Sequence, residues 1–228
     1  MGQARLYHRE NIVAVSIIIE ATDLMLATLW RRPFSRDGWV FELKYDGFRC
    51  LVRKSGKLVS LVSRQGNIMN RSFPDVVEAV AAVTGDFIWD AELTVDESTG
   101  RSSFERLQTR ARTSVPSRVR AAIRAHPARL YIFDMLATGD RDIRRLPLFE
   151  RKQILRDSFD NTATLVYVSG IVTAGEWVFD QAKAHDLEGM VGKRLDAPYQ
   201  RGRSKDWLKV KYAGYSRPAA LGFGREKI

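Results

Sequence analysis

The feature that most restricts the fold is a succession of short β-type runs, interleaved with brief helical segments and punctuated by glycine turns. Trp39 to Lys44, Phe48 to Lys54, Lys57 to Arg64, Phe87 to Val95, Leu130 to Leu136, Thr164 to Val168, Gly189 to Lys193 and Trp207 to Tyr212 read as strands. Pro74 to Val83, Phe104 to Arg112, Arg118 to Ala125, Pro147 to Asp157 and Ala174 to His185 read as helices. Ser72 is available to cap the first of these, and Pro147 sits near the first turn of the fourth. The first two strands are expected to turn back around Asp46-Gly47. No internal repeat, heptad pattern or low-complexity linker interrupts the series. The pattern predicts an α+β domain with antiparallel sheets.

Length and charge narrow the reading further. The chain of 228 residues suits one large domain or two small ones, enough to bury a core. Lys and Arg number 37 against 27 Asp and Glu, a net charge of +10 with a pI near 9.9. That balance points to an anionic partner, nucleic acid first. The single cysteine, Cys50, excludes an internal disulfide and a cysteine-based zinc site, and it suits a reducing cytosol. Its apolar neighbours read it as a small buried hydrophobe. Ile12 to Ile19 is apolar and follows Arg5 and Arg9, but it is too short to span a membrane. It reads as a packed strand or an edge segment. The residues after Tyr212, including Gly214, Pro218, Gly222 and Gly224, read as loop or frayed end.

Five clusters carry chemistry. In Glu42-Leu-Lys44-Tyr-Asp46-Gly47-Phe-Arg49, strand alternation puts Glu42 and Lys44 on one face, and the turn brings Arg49 nearby. Alone, this fits a surface salt-bridge cluster as well as a site. Asp90 and Glu92 share a strand face, suited to a divalent metal or a ribose hydroxyl, or simply to the wet side of a strand. Lys209 and Lys211 lie on one face, opposite Leu208, Val210 and Tyr212. Like charges so placed want water or an anion. Glu188-Gly-Met-Val-Gly-Lys193 opens on a carboxylate and closes on a cation, with Gly189 and Gly192 permitting close approach. Ser63-Arg64-Gln65-Gly66 places an arginine at a strand end.

In this order the clusters resemble the motifs of the covalent nucleotidyltransferase superfamily: ATP-dependent DNA ligases, RNA ligases and mRNA capping enzymes. Lys44-Tyr-Asp46-Gly47-Phe-Arg49 is similar to motif I, Ser63-Arg64-Gln65-Gly66 to motif Ia, and Asp90-Ala-Glu92-Leu to motif III, with Ala91 where glycine is usual. Tyr131-Ile-Phe133-Asp134 is similar to motif IIIa, Glu188-Gly-Met-Val-Gly-Lys193-Arg to motif IV, and Trp207-Leu-Lys209-Val-Lys211 to motif V. Flanking segments resemble the ligase domain of bacterial ligase D, the end-joining ligase. These are Met25-Leu-Ala-Thr28, Phe104-Glu-Arg-Leu-Gln-Thr-Arg110, Pro198-Tyr199 and Gly202-Arg203-Ser204. The resemblance covers roughly residues 22–213, leaving residues 1–21 as an extension and 214–228 as a tail or truncated hinge.

The resemblance implies an ATP-grasp-like adenylation domain, with two mainly antiparallel sheets flanked by helices. It implies that Lys44 takes AMP from ATP and that Lys209 and Lys211 hold the phosphate. Glu92 and Glu188 would touch ribose or hold Mg2+ or Mn2+. Arg49 and Arg64 would contact ribose or a nick phosphate, Phe133 would stack on adenine, and Glu42 and Lys193 would belong to the nucleotide pocket. A lysine of ordinary pKa, about 10.4, costs on the order of 4–5 kcal/mol to hold neutral at pH 7, so nearby cations would assist its attack. Residues 101–129 carry eight arginines against one acid, Glu105. Among them Arg101, Arg106, Arg110 and Arg112 are candidates to run along DNA phosphates, the alternative being a solvated helix face.

The implied activity is transfer of AMP to the 5′-phosphate of nicked or broken double-stranded DNA, in repair or end joining near the nucleoid. RNA ligase or capping chemistry, or a non-catalytic protein that binds DNA ends, are the alternatives. Ligases of this kind carry an OB-fold after motif V, and residues 214–228 leave no room for one. A separate OB-domain or end-joining protein is therefore an expected partner in loading the lysine and in sealing.

Overall fold

The computed structural model describes residues 17–216. In chain order it contains β1 (Met25–Leu29), β2 (Trp39–Lys44), β3 (Phe48–Ser55), β4 (Leu58–Ser63), α1 (Pro74–Ala81), β5 (Phe87–Val95), α2 (Phe104–Ala111), α3 (Pro116–Ala125), β6 (Ala128–Thr138), β7 (Arg141–Asp142), α4 (Leu148–Arg156), β8 (Leu165–Tyr167), β9 (Ile171–Val172), α5 (Gly175–Ala184), β10 (Gly189–Arg194) and β11 (Gly202–Lys211). The strands form two sheets, one ordered β1-β11-β10-β2-β9 and the other β4-β3-β5-β6-β7, with β8 added beside β6. Pairing is antiparallel except for β1 with β11 and β6 with β8. The expected α+β class with two mainly antiparallel sheets and flanking helices is what the chain adopts.

Alternation along the strands explains the layers. Trp39, Phe41, Met190, Leu208 and Val210 leave one face of the first sheet and pack with Val178 of α5. Cys50, Val52, Trp89, Leu93, Leu130 and Ile132 leave the outer face of the second sheet toward Val76 and Val80 of α1 and Leu107 of α2. Between the sheets lie Met25, Leu51, Val62, Phe133, Tyr199 and Trp207. Cys50, on the outer face of the second sheet, is fully buried as a small hydrophobe. Full burial of each such large side chain contributes roughly 1.5–3 kcal/mol, so the sheets are held face to face by apolar packing.

Several local expectations are corrected. β2 and β3 do not form a hairpin: β2 belongs to the first sheet and β3 to the second, so Asp46-Gly47 is the crossing between them. Gly47 is demanded by contact, since a Cβ there would run into the Leu93 carbonyl oxygen of β5. Ser72 does not cap α1; its hydroxyl donates to the Ala111 carbonyl at 3.0 Å, and Phe73 occupies the cap position. The last strand begins at Gly202 rather than Trp207, because its first residues pair with β1, itself unforeseen. Of the Ile12 to Ile19 run, only residues 17–19 are described; they form no strand, and Ile19 is fully buried. The tail reading at Pro218, Gly222 and Gly224 lies outside the described residues. Among the described residues, no helix is long and apolar enough to cross a membrane.

Candidate active site

The site grows from the register of the first sheet. Gly189 of β10 faces Lys44 of β2 on one side and Lys211 of β11 on the other. One step along, Val191 faces Glu42 and Lys209. Strand alternation therefore sends Glu42, Lys44, Lys209 and Lys211 to the inner face of the sheet. Glu188 joins them: Lys44 Nζ lies 2.5 Å from its Oε2, and Lys211 Nζ lies 2.9 Å from its Oε1. Burial alone would push the Glu188 carboxyl up, but Lys44 and Lys211 outweigh it and hold it low. The Lys209 amine is lowered by its own burial and by the nearby Lys44 and Lys211 ammonium groups.

The second sheet supplies the opposite wall. Arg49 of β3 faces Glu92 of β5. The Arg49 guanidinium grips Asp90, which is fully buried, and lies 4.6 Å from the Phe133 ring centroid. A cleft of about 920 Å³ opens between the walls, lined by Lys44, Arg49, Arg64, Glu92, Phe133 and Lys209 among others. That volume suits a nucleotide-sized ligand. Arg64 stands exposed at the rim.

Glu92 is the carboxylate without an ion-pair partner among the described residues; its Oε1 accepts a 3.2 Å hydrogen bond from Gly47 N. Burial first, then repulsion by Glu188 and Asp90, pushes its pKa from 4.5 to about 7, against the pull of Lys44 and Arg49. A half-buried hard oxygen donor short of positive charge fits a divalent cation. The folded state thus holds this proton more tightly than the unfolded chain. Its contribution to stability is present below pH 4.5 and lost as the pH rises through about 7. Glu92→Gln is expected to stabilise the protein by on the order of 1–3 kcal/mol at pH 8, with the gain shrinking toward pH 5. Thermal melts of both forms across that range check it; a gain independent of pH would contradict the assignment.

Glu42 and Lys193 do not line the cleft. Glu42 is 3% exposed on that inner face, with Lys193 Nζ 2.5 Å from Oε2 and Lys152 Nζ 2.5 Å from Oε1. Burial would raise Glu42, but Lys152 and Lys193 overcome it. The Lys193 amine is lowered, chiefly by burial, and sits over the Phe133 and Trp207 rings at 4.3 and 4.4 Å. Lys152, on α4, carried no sequence signal because its partner lies 110 positions away.

The basic stretch divides. Arg106 and Arg112 are exposed. Arg110 is corrected: it is 1% exposed, ion-paired to Asp75, bonded to the His126 carbonyl at 2.8 Å and set over the Phe73 ring. It is unavailable to DNA because α2 turns it into the core beside Leu107. Arg101 is half-buried, held by Asp186 at 2.7 Å and Glu97 at 3.4 Å, and donates to Ser216.

Comparison with known proteins agrees with this geometry. A family model for the ATP dependent DNA ligase domain matches residues 24–211. The SPbeta prophage-derived DNA ligase-like protein LigB of Bacillus subtilis is 28% identical over 205 residues, 90% of this chain and 72% of that protein. The bifunctional non-homologous end joining protein LigD of the same organism is 30% identical over 204 residues, 81% of this chain and 33% of that protein. The structure of mycobacterial DNA ligase D complexed with ATP and MES aligns with a TM-score of 0.71 at 26% identity, covering 86% of this chain and 62% of that one. The chain spans 31% of the length of a probable DNA ligase from Dictyoglomus turgidum to which it is 32% identical. With the family model matched from Leu24 to Lys211 and the fold shared with the ligase D structure, the chain belongs to the ATP-dependent DNA ligase domain family.

Proposed function

We propose that this chain adenylates itself on Lys44 and passes the AMP to the 5′-phosphate of a nick or break in double-stranded DNA. The observation that carries the reading is that Lys44 and Lys209 line one cleft while Glu188 ties Lys44 to Lys211, although Lys44 and Glu188 are 144 positions apart.

The Lys44 amine attacks the α-phosphorus of ATP; an N–P bond forms, the bond to pyrophosphate breaks, and the amine proton leaves. The ion pair with Glu188 has to open as the nucleotide enters, which makes Glu188 the nearest acceptor for that proton. Lys209 and Lys211 offset charge on the phosphate as it develops. A 5′-phosphate oxygen of the nick then attacks the AMP phosphorus, the N–P bond breaks, and Lys44 recovers a proton. A neighbouring 3′-hydroxyl displaces AMP and closes the strand. Glu92, with Glu188, would hold the Mg2+ or Mn2+ ion, which supplies charge neutralisation at the phosphates when bound. Phe133, Arg49 and Arg64 complete the nucleotide wall, while Glu42 and Lys193 support it as a buried pair beside Phe133. Arg106 and Arg112 are the DNA contacts retained from the basic stretch. The proposed partners are nicked or broken DNA and an OB-fold or end-joining protein that closes over it, in DNA repair at the nucleoid.

Intact mass after incubation with ATP and Mg2+ or Mn2+ tests the reading. The expected result is an AMP adduct with ATP and none with GTP, together with sealing of a pre-adenylylated nick. An adduct with GTP alone would transfer the reading to capping-type chemistry. Absence of both adduct and sealing would defeat the enzyme reading.

A further inference from the structure

A closed ring of hydrogen bonds lies beneath the cleft. Arg49 Nη2 donates to Asp90 Oδ2 at 2.5 Å, and Arg49 Nε donates to Oδ1. The Tyr199 hydroxyl donates to Asp90 Oδ2 at 2.5 Å. The same hydroxyl accepts from Met25 N at 2.9 Å. Arg49 Nη2 then donates to Met25 O at 3.1 Å, which closes the circuit. The four residues come from β3, β5, β1 and the segment between β10 and β11, so the ring joins both sheets. Asp90 is fully buried and Tyr199 is 6% exposed.

The ring leaves one part of Arg49 uncommitted. Nε and Nη2 are both spent inside it, whereas Nη1 makes no hydrogen bond among the described residues. Arg49 lines the cleft, so Nη1 is the donor it can offer to a ligand oxygen. A guanidinium is planar, so fixing two of its nitrogens fixes the direction of the third. The phenol is the only side chain of the ring that both donates and accepts. Removing its oxygen leaves the Met25 N–H without its partner and Asp90 with one donor fewer. Each loss falls on a group that aims Arg49.

We propose that Tyr199 is a positioning residue for nucleotidyl transfer, closing a ring that aims Arg49 Nη1 at an oxygen of the nucleotide bound in the cleft. It acts through Arg49 and touches no substrate itself. The proposal rests on the adenylation reading above.

A double-mutant cycle tests it, measured as the rate of AMP adduct formation at several ATP concentrations. Tyr199→Phe is expected to slow adenylation about tenfold in the wild-type background. In an Arg49→Ala background it is expected to change the rate less than about twofold, because the group it aims is gone. A merely structural role would slow both backgrounds equally, and that additive result would overturn the proposal. So would an unchanged rate in Tyr199→Phe with Arg49 intact. Thermal melts accompany each variant; should Tyr199→Phe fail to fold, Asp90→Asn opens the ring from the other side and is judged by the same cycle. Failure of the wild type to form an adduct defeats the adenylation reading and the proposal with it. A working wild type with an additive cycle defeats the proposal alone.

Discussion

Lys44→Ala is expected to eliminate the AMP adduct while leaving the fold intact. The side chain is partly exposed at the cleft and makes its ion pair with Glu188 alone, a carboxylate that keeps Lys211 as a second partner. Its removal therefore strands no buried charge, and stability should change by less than about 1 kcal/mol. Loss of the chemistry, in contrast, should be total, because no neighbouring amine has the same place in the sheet. Lys209 and Lys211 stand on β11, with the backbone of β10 between them and Lys44. Intact mass of wild type and variant after incubation with ATP and Mg2+ gives the comparison. Sealing of a pre-adenylylated nick should survive in part, since that step needs no new bond to lysine. A Lys44→Ala protein that still acquires AMP would remove Lys44 from its role.

Arg151→Leu is expected to have the largest effect on stability. Arg151 and Asp134 are both fully buried, with Nε to Oδ1 at 2.8 Å and Nη2 to Oδ2 at 2.9 Å. Nη1 donates to the carbonyl oxygens of Leu146 and Ala197 at 2.6 and 3.1 Å. Four hydrogen bonds from the one guanidinium thus end on protein oxygens in one small volume. Deleting the cation leaves Asp134 without its counter-charge in the interior. Breaking such a pair from one side costs about 3–5 kcal/mol. For a chain of this length that corresponds to a fall in Tm of roughly 6–20 °C. Adding Asp134→Asn to the same chain should recover part of the loss, because the stranded charge is gone. Calorimetric or denaturant unfolding of the three proteins checks both statements; a loss below about 1 kcal/mol in Arg151→Leu would contradict them.

What the sequence made legible was local and periodic. The strands around Lys44, Glu92, Phe133, Glu188 and Lys209 were readable from alternation, and alternation also put the twin lysines on one face. The order of the motifs brought together residues that no spacing rule connects. What escaped was decided by partners distant in the chain. Asp46-Gly47 looks like a hairpin turn, and only the sheet pairing of β2 with β10 and of β3 with β5 shows that it is a crossing. Arg110 looked like one more surface arginine, because nothing nearby in sequence announces Asp75 across the fold. Lys152, Arg151 and Tyr199 act through partners on other elements, and polar residues of this kind carry no periodic mark. Glu42 was read as lying next to the pocket, but its enclosure by two lysines, one of them on α4, had no sequence signal.

Gly189 gives the row Lys44–Gly189–Lys211 a further property. It has φ of +141°, and a Cβ would collide with the Val210 carbonyl oxygen, so the position stays bare. Neighbouring strands lie about 4.8 Å apart, which separates the two lysine backbones by roughly 10 Å. The two lysine backbones are therefore spaced by two ladders of peptide hydrogen bonds, while Glu188 gathers both ammonium groups onto its opposite oxygens. Side-chain changes elsewhere in the cleft leave that backbone spacing unaltered.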